Sequence, residues 1–109
     1  MWIFTKYGFV SVVQHNSIDG YFQVKSRVID PLEILWPEHT VEVIDWADYR
    51  FRITLKKEIV NSVLLKQIQG VQYTSFKDEC RKDIDYHDEL VKIWSIMHNY
   101  QMNMERKVA

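Results

Sequence analysis

The chain has 109 residues, of which 47% are hydrophobic and 14% aromatic, and its formal net charge is −1. A chain of this length buries roughly two-thirds of its unfolded surface, so we expect a single domain over residues 1–109. The balanced charge excludes a molecule-wide field that attracts nucleic acid or membranes, so an anion site has to be a local patch.

The first half of the chain predicts short strands separated by turns. Its opening, Met1–Gln14, is rich in β-branched and aromatic residues, and Gly8 interrupts it, which indicates a hairpin. Farther on, residues 21–28 and 49–56 alternate apolar with polar side chains, which predicts strands with one buried face and one basic, solvated face. The predicted strands are Trp2–Thr5, Phe9–Gln14, Tyr21–Val28, Thr40–Ile44 and Tyr49–Lys56.

Helix start and stop signals divide the rest of the chain. Asp30 is the expected N-cap of a short helix, with Pro31 at its first position and Glu33 closing a capping box. Gly70 is expected to end the next helix in a left-handed conformation, and Asp85 is expected to cap the last one. The predicted helices are Asp30–Trp36, Lys57–Gln69, Ser75–Arg81 and Tyr86–Met104, and Val71–Ser75 is extended or a last short strand.

This order, β-β-β-α-β-β-α followed by two helices, predicts an α+β fold of ferredoxin-like type. Helices would pack on one face of an antiparallel sheet, and all helix stripes would join one core. The stripe of the second helix is Val60, Val63, Leu64 and Ile68. The stripe of the last helix is Tyr86, Leu90, Ile93, Trp94, Met97, Tyr100, Gln101 and Met104.

A pattern spread over most of the chain resembles a family of small, uncharacterised prokaryotic proteins. The residues that match it are Met1-Trp2-x-Phe4-Thr5-x-x-Gly8-Phe9-x-Ser11-Val12-Val13, Asp48-Tyr49 before an arginine-bearing strand, Tyr73-x-x-Phe76-Lys77, and a last helix with Trp94 and Met97. The chain departs from the pattern at Gln72 and Ser75, where an acidic residue and Asn are expected. The resemblance implies one compact domain and no particular activity.

A basic strand face is the most suggestive feature for function. If the strands over 21–28 and 49–56 are neighbours, their outward cations form a patch that suits a nucleotide or a strand of nucleic acid. The predicted ligand-binding residues are Tyr21, Lys25, Arg27, Arg50, Arg52 and Lys56. The alternative is an ordinary solvated face paired with Glu42 and Asp45. We expect no outward aromatic stacking pair on the central strands, of the kind that RNA-recognition sheets use.

Other chemistry has weaker signals. The single cysteine, Cys80, excludes an intramolecular disulfide and a zinc site made of cysteines. Nearby cations could activate its thiol, but neighbouring acids oppose them. The acidic segment over residues 78–89 could in principle serve a small metal enzyme through Asp83, Asp85, His87 and Asp88. Acids at a helix start are expected from the helix dipole alone, so we predict no metal site, no cofactor and no catalytic residue.

Exposed aromatic and methionine side chains suggest a protein interface. The predicted interaction residues are Trp46, Trp94, Met97, Tyr100 and Met104. Core packing is the favoured reading for Trp36 and Trp94, and a homodimer through the last helix is plausible.

With no apolar run near the ~20 residues that cross a bilayer and no signal peptide expected, we predict a cytoplasmic protein. The predicted function is a non-enzymatic binding module for a phosphate-bearing ligand. The alternative is a protein–protein interaction domain, such as an adaptor or inhibitor.

Overall fold

The computed structural model describes residues 1–108 and confirms the α+β class. By its internal contacts the chain divides into two compact units, Met1–Gln72 and the part from Tyr73 onward. The single domain expected from the length stays a prediction. The strands are β1 (Trp2–Thr5), β2 (Gly8–Gln14), β3 (Tyr21–Ser26), β4 (Glu42–Val43) and β5 (Phe51–Lys56). The helices are α1 (Asp30–Leu35), α2 (Lys57–Gln69), α3 (Phe76–Glu79) and α4 (Ile84–Val108).

The five strands form one sheet in the order β1-β2-β3-β5-β4, and every neighbouring pair is antiparallel. A ferredoxin-like fold is built from βαβ units, in which the two strands joined by a helix run parallel. Here β3 and β5 lie next to each other and run antiparallel, although α1 lies between them in the chain. The ferredoxin-like topology is therefore not confirmed.

One core joins the sheet to the first two helices, as the sequence predicts for this part of the chain. Because side chains alternate along a strand, the even-numbered residues of β2 and β3 share a face with the odd-numbered residues of β5. Both α1 and α2 contribute to the cluster on that face, so both helices pack on the same side. The buried members are Val10, Val24, Leu32, Leu35, Trp36, Ile53, Leu55 and Val60.

The stripe of α2 is shorter than predicted. Val60 is buried and Val63 and Leu64 are partly buried against the core, but Ile68 is 71% exposed. Ile68 lies in the last turn of α2, beyond the turns that pack on β3 and β5.

The start of α1 differs from the prediction because the backbone makes the cap. Ile29 is the N-cap, it is already in the right-handed helical region, and no side chain bonds there. Its carbonyl accepts hydrogen bonds from the amides of Leu32 and Glu33 at 3.0 and 3.2 Å. Asp30 is therefore the first helical residue rather than the cap, Pro31 follows it, and no capping box forms.

Two further helix ends also differ. Gly70 follows α2 with φ −85° and ψ 3°, so it is not left-handed; its amide continues the helical pattern by donating to the Lys66 carbonyl. At the start of α4, Asp83 Oδ1 accepts from the Tyr86 amide at 3.2 Å, and Asp85 lies within the first turn. Asp83 is the cap because α4 begins two residues earlier than predicted, at Ile84, and a cap bonds the third amide of its helix.

Three strand predictions are too long. Pairing ends at Ser26 opposite Phe51, so Val28 and Tyr49 lie outside β3 and β5. The strand predicted over Thr40–Ile44 is reduced to the two residues of β4. Residues 71–75 form no strand, but Ser75 caps α3 as predicted, since its Oγ accepts from the Asp78 amide at 3.4 Å.

The second unit consists of α3 and the 25-residue helix α4. Among its side chains up to residue 107, those of Cys80 and Leu90 are buried. None of the helices within residues 1–108 combines the length and the apolar character that spanning a bilayer requires.

Candidate binding face of the sheet

The sheet face opposite the core, here the outer face, brings together residues from all five strands. Cross-strand partners point to the same side of a sheet, and the pairing register aligns one row across it. Listed from edge to edge, this central row is Trp2, Ser11, Lys25, Arg52 and Glu42. Adjacent members belong to strands about 4.8 Å apart, so the row measures about 19 Å between its end Cα positions.

Lys25 and Arg52 form the centre of this row as directly opposed, half-buried cations. Within residues 1–108 no carboxylate forms an ion pair with either side chain, although Glu42 is the cross-strand partner of Arg52. Like charges placed directly opposite destabilise a strand pair. An anion bound between the two side chains would remove that repulsion.

The guanidinium of Arg52 is held in place with donors to spare. Its Nη2 donates to the Tyr49 carbonyl at 3.2 Å, and its buried Nε has no partner in the described chain. A guanidinium has five N–H donors in a planar fork, and because Nε is buried, the donors that remain for a ligand are those of the two terminal nitrogens that Tyr49 does not use. The bond to Tyr49 fixes the direction of the fork before a ligand arrives.

The other two predicted arginines are already ion-paired. Arg27 Nη1 lies 3.2 Å from both the Asp48 carboxylate and the Asp48 carbonyl. Arg50 Nε donates to Asp45 at 2.8 Å. The pairing with Asp45 is the one that the solvated-face alternative anticipates. Both pairs are exposed, and such pairs contribute only about 0–1 kcal/mol, so either arginine can exchange its partner for a ligand at small cost.

Tyr21 and Lys56 lie at the far end of the same two strands. They are cross-strand partners, four residues along from Lys25 and Arg52. At about 3.3 Å per residue this is about 13 Å. The structure therefore places these two residues in a separate row from the central pair.

An aromatic cluster that the sequence reading missed lies beside the central row. Phe4 and Phe9 stack with their ring centroids 4.7 Å apart, and Trp2 meets Phe9 edge-on at 5.8 Å. Tyr49 approaches Phe9 from the other side at 6.3 Å, and Arg27 lies 4.3 Å above the Tyr49 ring. The cluster of Trp2, Phe4, Phe9 and Tyr49 joins the edge strand β1, its neighbour β2 and the turn before β5, so it does not contradict the expectation that the central strands lack an outward aromatic stacking pair.

The signal for this cluster was the valine spacing of β2. Val10 and Val12 turn toward the core, so Phe9 and its partner Phe4 must turn outward. Tyr49 was predicted to follow Phe51 into the core. It instead reaches the outer face because it lies in the irregular turn before β5, where strand alternation does not apply.

The predicted protein-interaction residues are all exposed. Trp46, in the connection between β4 and β5, is 90% exposed. On α4, Trp94, Met97, Tyr100 and Met104 are between 41% and 57% exposed. Trp36 is buried as expected, but core packing of Trp94 is wrong. The Trp94 ring has the Lys77 ammonium 4.9 Å from its centroid and stacks on the His98 ring at 5.2 Å.

The acidic segment over 78–89 is occupied by local partners. Asp78 pairs with Arg81, Asp83 caps α4, and Lys92 donates to Glu89. Within residues 1–108 no three His, Cys, Asp or Glu side chains come together as they would to hold a metal ion.

The thiol of Cys80 is buried, and its environment opposes ionisation. Burial raises its pKa, and the neighbouring Glu79 and Asp83 carboxylates raise it further. The pKa of the nearby Tyr86 hydroxyl is also raised, mainly by burial. A nucleophilic cysteine requires a depressed pKa, so the local electrostatics disfavour that role.

The chain matches no family model, no curated protein and no solved structure. The resemblance to a family of small prokaryotic proteins therefore stays a prediction. The chemistry of the outer face is the evidence that bears on function.

Proposed function

We propose that this protein is a non-enzymatic binding module whose outer sheet face holds a phosphate-bearing ligand, either a nucleotide or a nucleic acid. The observation that supports this most directly is the opposed pair Lys25 and Arg52. The pair is half-buried and forms no ion pair with a carboxylate within residues 1–108, whereas Arg27 and Arg50, which were predicted for the same patch, form one each.

The two central cations suit a phosphate group in different ways. Arg52 offers a fixed planar fork that can donate two parallel hydrogen bonds to phosphate oxygens. Lys25 adds a mobile point charge from the neighbouring strand. Partial burial strengthens both interactions relative to fully hydrated side chains.

The test measures binding of ATP and of a short single-stranded oligonucleotide by isothermal titration calorimetry at low salt. Arg52→Gln removes the fork and should weaken binding about 10- to 100-fold, the size of a charge-assisted hydrogen bond. Lys66→Gln is the matched control, since Lys66 is an exposed cation on α2. Equal affinities for the wild type and Arg52→Gln, or no binding by the wild type, would contradict the proposal.

Glu42 provides a test with the opposite sign. It is the cross-strand partner of Arg52, and its charge repels an incoming phosphate. Glu42→Gln should therefore tighten binding in the same titrations. This gain cannot come from a loss of folding, so it separates a local electrostatic effect from general damage to the sheet.

A second candidate function is protein–protein interaction through α4, with a second copy of the chain as the occupant. The exposed apolar side chains of α4, which are Trp94, Met97, Tyr100 and Met104, favour this self-association. Charge also suits an antiparallel second copy, since Asp85, Asp88 and Glu89 lie in the first turns of α4 and Arg106 and Lys107 in the last. A monomer by light scattering at high concentration would argue against a homodimer and leave an adaptor or inhibitor role with another protein.

We also propose a cytoplasmic setting. A lone buried thiol such as Cys80 is compatible with a reducing compartment, where disulfides rarely form. Recovery of the native protein from a fractionated cell would test this directly.

A further inference from the structure

We infer that the ligand of the outer face is single-stranded nucleic acid, and that Trp2 stacks against one of its bases. This inference rests on the proposed function, because it assigns the phosphates to Lys25 and Arg52. It adds the aromatic cluster, which phosphate binding alone does not use.

Trp2 has the exposure that a stacking platform needs. It is 70% exposed, and its one aromatic contact within the described chain is edge-to-face with Phe9, at an interplanar angle of 80°. The indole therefore contacts Phe9, while most of its ring surface remains open to solvent. Exposing so large an apolar ring is unfavourable in water, and a stacked base would cover it.

The support beneath Trp2 is rigid. Phe9 is held between Phe4 and Tyr49, and Phe4 and Phe9 are cross-strand partners on β1 and β2. A platform fixed on strands loses little conformational freedom when a ligand binds. Phe4 and Phe9 are themselves half-buried, so Trp2 offers the most accessible face of the cluster.

The register places the base site and the phosphate sites on one line. Trp2, Lys25 and Arg52 all belong to the central row, with the buried Ser11 between Trp2 and Lys25. Trp2 and Lys25 lie two strand spacings apart, about 10 Å between Cα positions, and Arg52 lies one spacing farther. A chain with its base on Trp2 would cross the strands, and its phosphates would pass over the two cations.

These features favour a single strand over the other phosphate ligands. Bases in a duplex are stacked on each other and paired, so they offer no free face to a side chain. Single-stranded binders combine aromatic stacking with a line of cations and read little sequence. The central row has both parts, and the nearby Arg27 and Tyr49 would extend it along the strand direction.

The experiment compares two labelled probes by fluorescence anisotropy, a thymidine oligonucleotide and an abasic oligomer with the same number of phosphates. Trp2→Ala should weaken oligonucleotide binding about 5- to 150-fold, the effect of removing one stacking side chain. It should leave binding of the abasic oligomer unchanged. Trp46→Ala is the matched control, since Trp46 is 90% exposed but lies outside the cluster, and it should change neither affinity. Unchanged thermal melting of both variants excludes a folding defect.

The outcomes separate this inference from the proposed function. If Arg52→Gln weakens both probes and Trp2→Ala weakens neither, the phosphate site stands and the stacking assignment is wrong. Tight binding of a blunt duplex, or equal competition by thymidine monophosphate, overturns the single-strand assignment. If the wild type binds neither probe, both proposals fall, and a protein partner becomes the remaining occupant of this face. If the phosphate site and the stacking assignment are both correct, Arg52→Gln also reduces the steepness of the fall of log affinity with log salt concentration by about 0.7.

Discussion

Of the three possible glycine-to-alanine substitutions, Gly8→Ala should lower the stability of the first unit most. Gly8 follows the two turn residues that join β1 to β2, and its φ is +141°, a conformation that L side chains rarely adopt. A Cβ built there would lie 2.9 Å from Cγ of Pro31 and 3.1 Å from its Cβ. Pro31 is fully buried at the start of α1, so it has little room to move away.

The expected magnitude is the sum of two effects. Holding a non-glycine residue in a disfavoured backbone region costs about 1–3 kcal/mol. Forcing a methyl group into a packed contact costs about 1–3 kcal/mol more. A total near 4 kcal/mol is a large part of the 5–15 kcal/mol that typically separates folded from unfolded domains. It corresponds to a fall in Tm of about 16–30 °C for a unit of this size.

Gly20→Ala is the matched control for this substitution. Gly20 also has a positive φ, +78°, but a Cβ there would meet nothing within 4 Å. Both substitutions restrict the unfolded chain equally, so the difference between their free energies of unfolding contains the clash with Pro31 and the difference in backbone strain between φ +141° and φ +78°. Urea titrations followed by tryptophan fluorescence measure that difference, which should be at least about 1 kcal/mol. Equal destabilisation by the two alanines would refute the packing argument, and relief of the Gly8→Ala effect by adding Pro31→Ala would support it.

Three further expectations concern the second unit. Asp83→Ala should lower the stability of this unit by about 1 kcal/mol through loss of the α4 cap, whereas Asp85→Ala should lower it less. A larger loss for Asp85→Ala in thermal melts would show that Asp85, as the sequence predicts, is the cap. If α4 pairs with a second copy, Met97→Asp should abolish self-association in light scattering while Ile96→Asp, exposed but off the stripe, should not. Alkylation of Cys80 should be slower in the native than in the urea-unfolded protein. The pH at which its rate rises should lie higher in the native state, because its raised pKa keeps the thiol protonated; equal rates would contradict this.

The strand and helix types were readable from the sequence because they depend on local patterns. Alternation in β3 and β5 and the helical spacing of α2 are set by residues close together in the chain. The ends of the elements were less readable. Ile29 replaces Asp30 as a cap because the path from β3 into α1 already bends the backbone into the helical region. No side chain at that position signals such a bend.

The candidate site was readable only in part, and for a related reason. Alternation assigned Lys25 and Arg52 to the solvated face without knowledge of the fold. It could not show that these two cations are direct partners, or that Arg27 is bound by Asp48, 21 residues away in the chain. The cluster around Phe9 was missed because it joins β1, β2 and the turn before β5. Its members meet only when three separate segments align.

The sequence by itself determined the α+β class, the type of each main element and the outward face of β3 and β5 on which Lys25 and Arg52 lie. The tertiary structure alone decided the strand order β1-β2-β3-β5-β4 and the register that lines up Trp2, Lys25 and Arg52. The physical reason is that a strand's two-residue period fixes the side to which a residue points, but not the residue that it meets on the next strand. That second choice depends on packing between distant segments, and the proposed binding face depends on it.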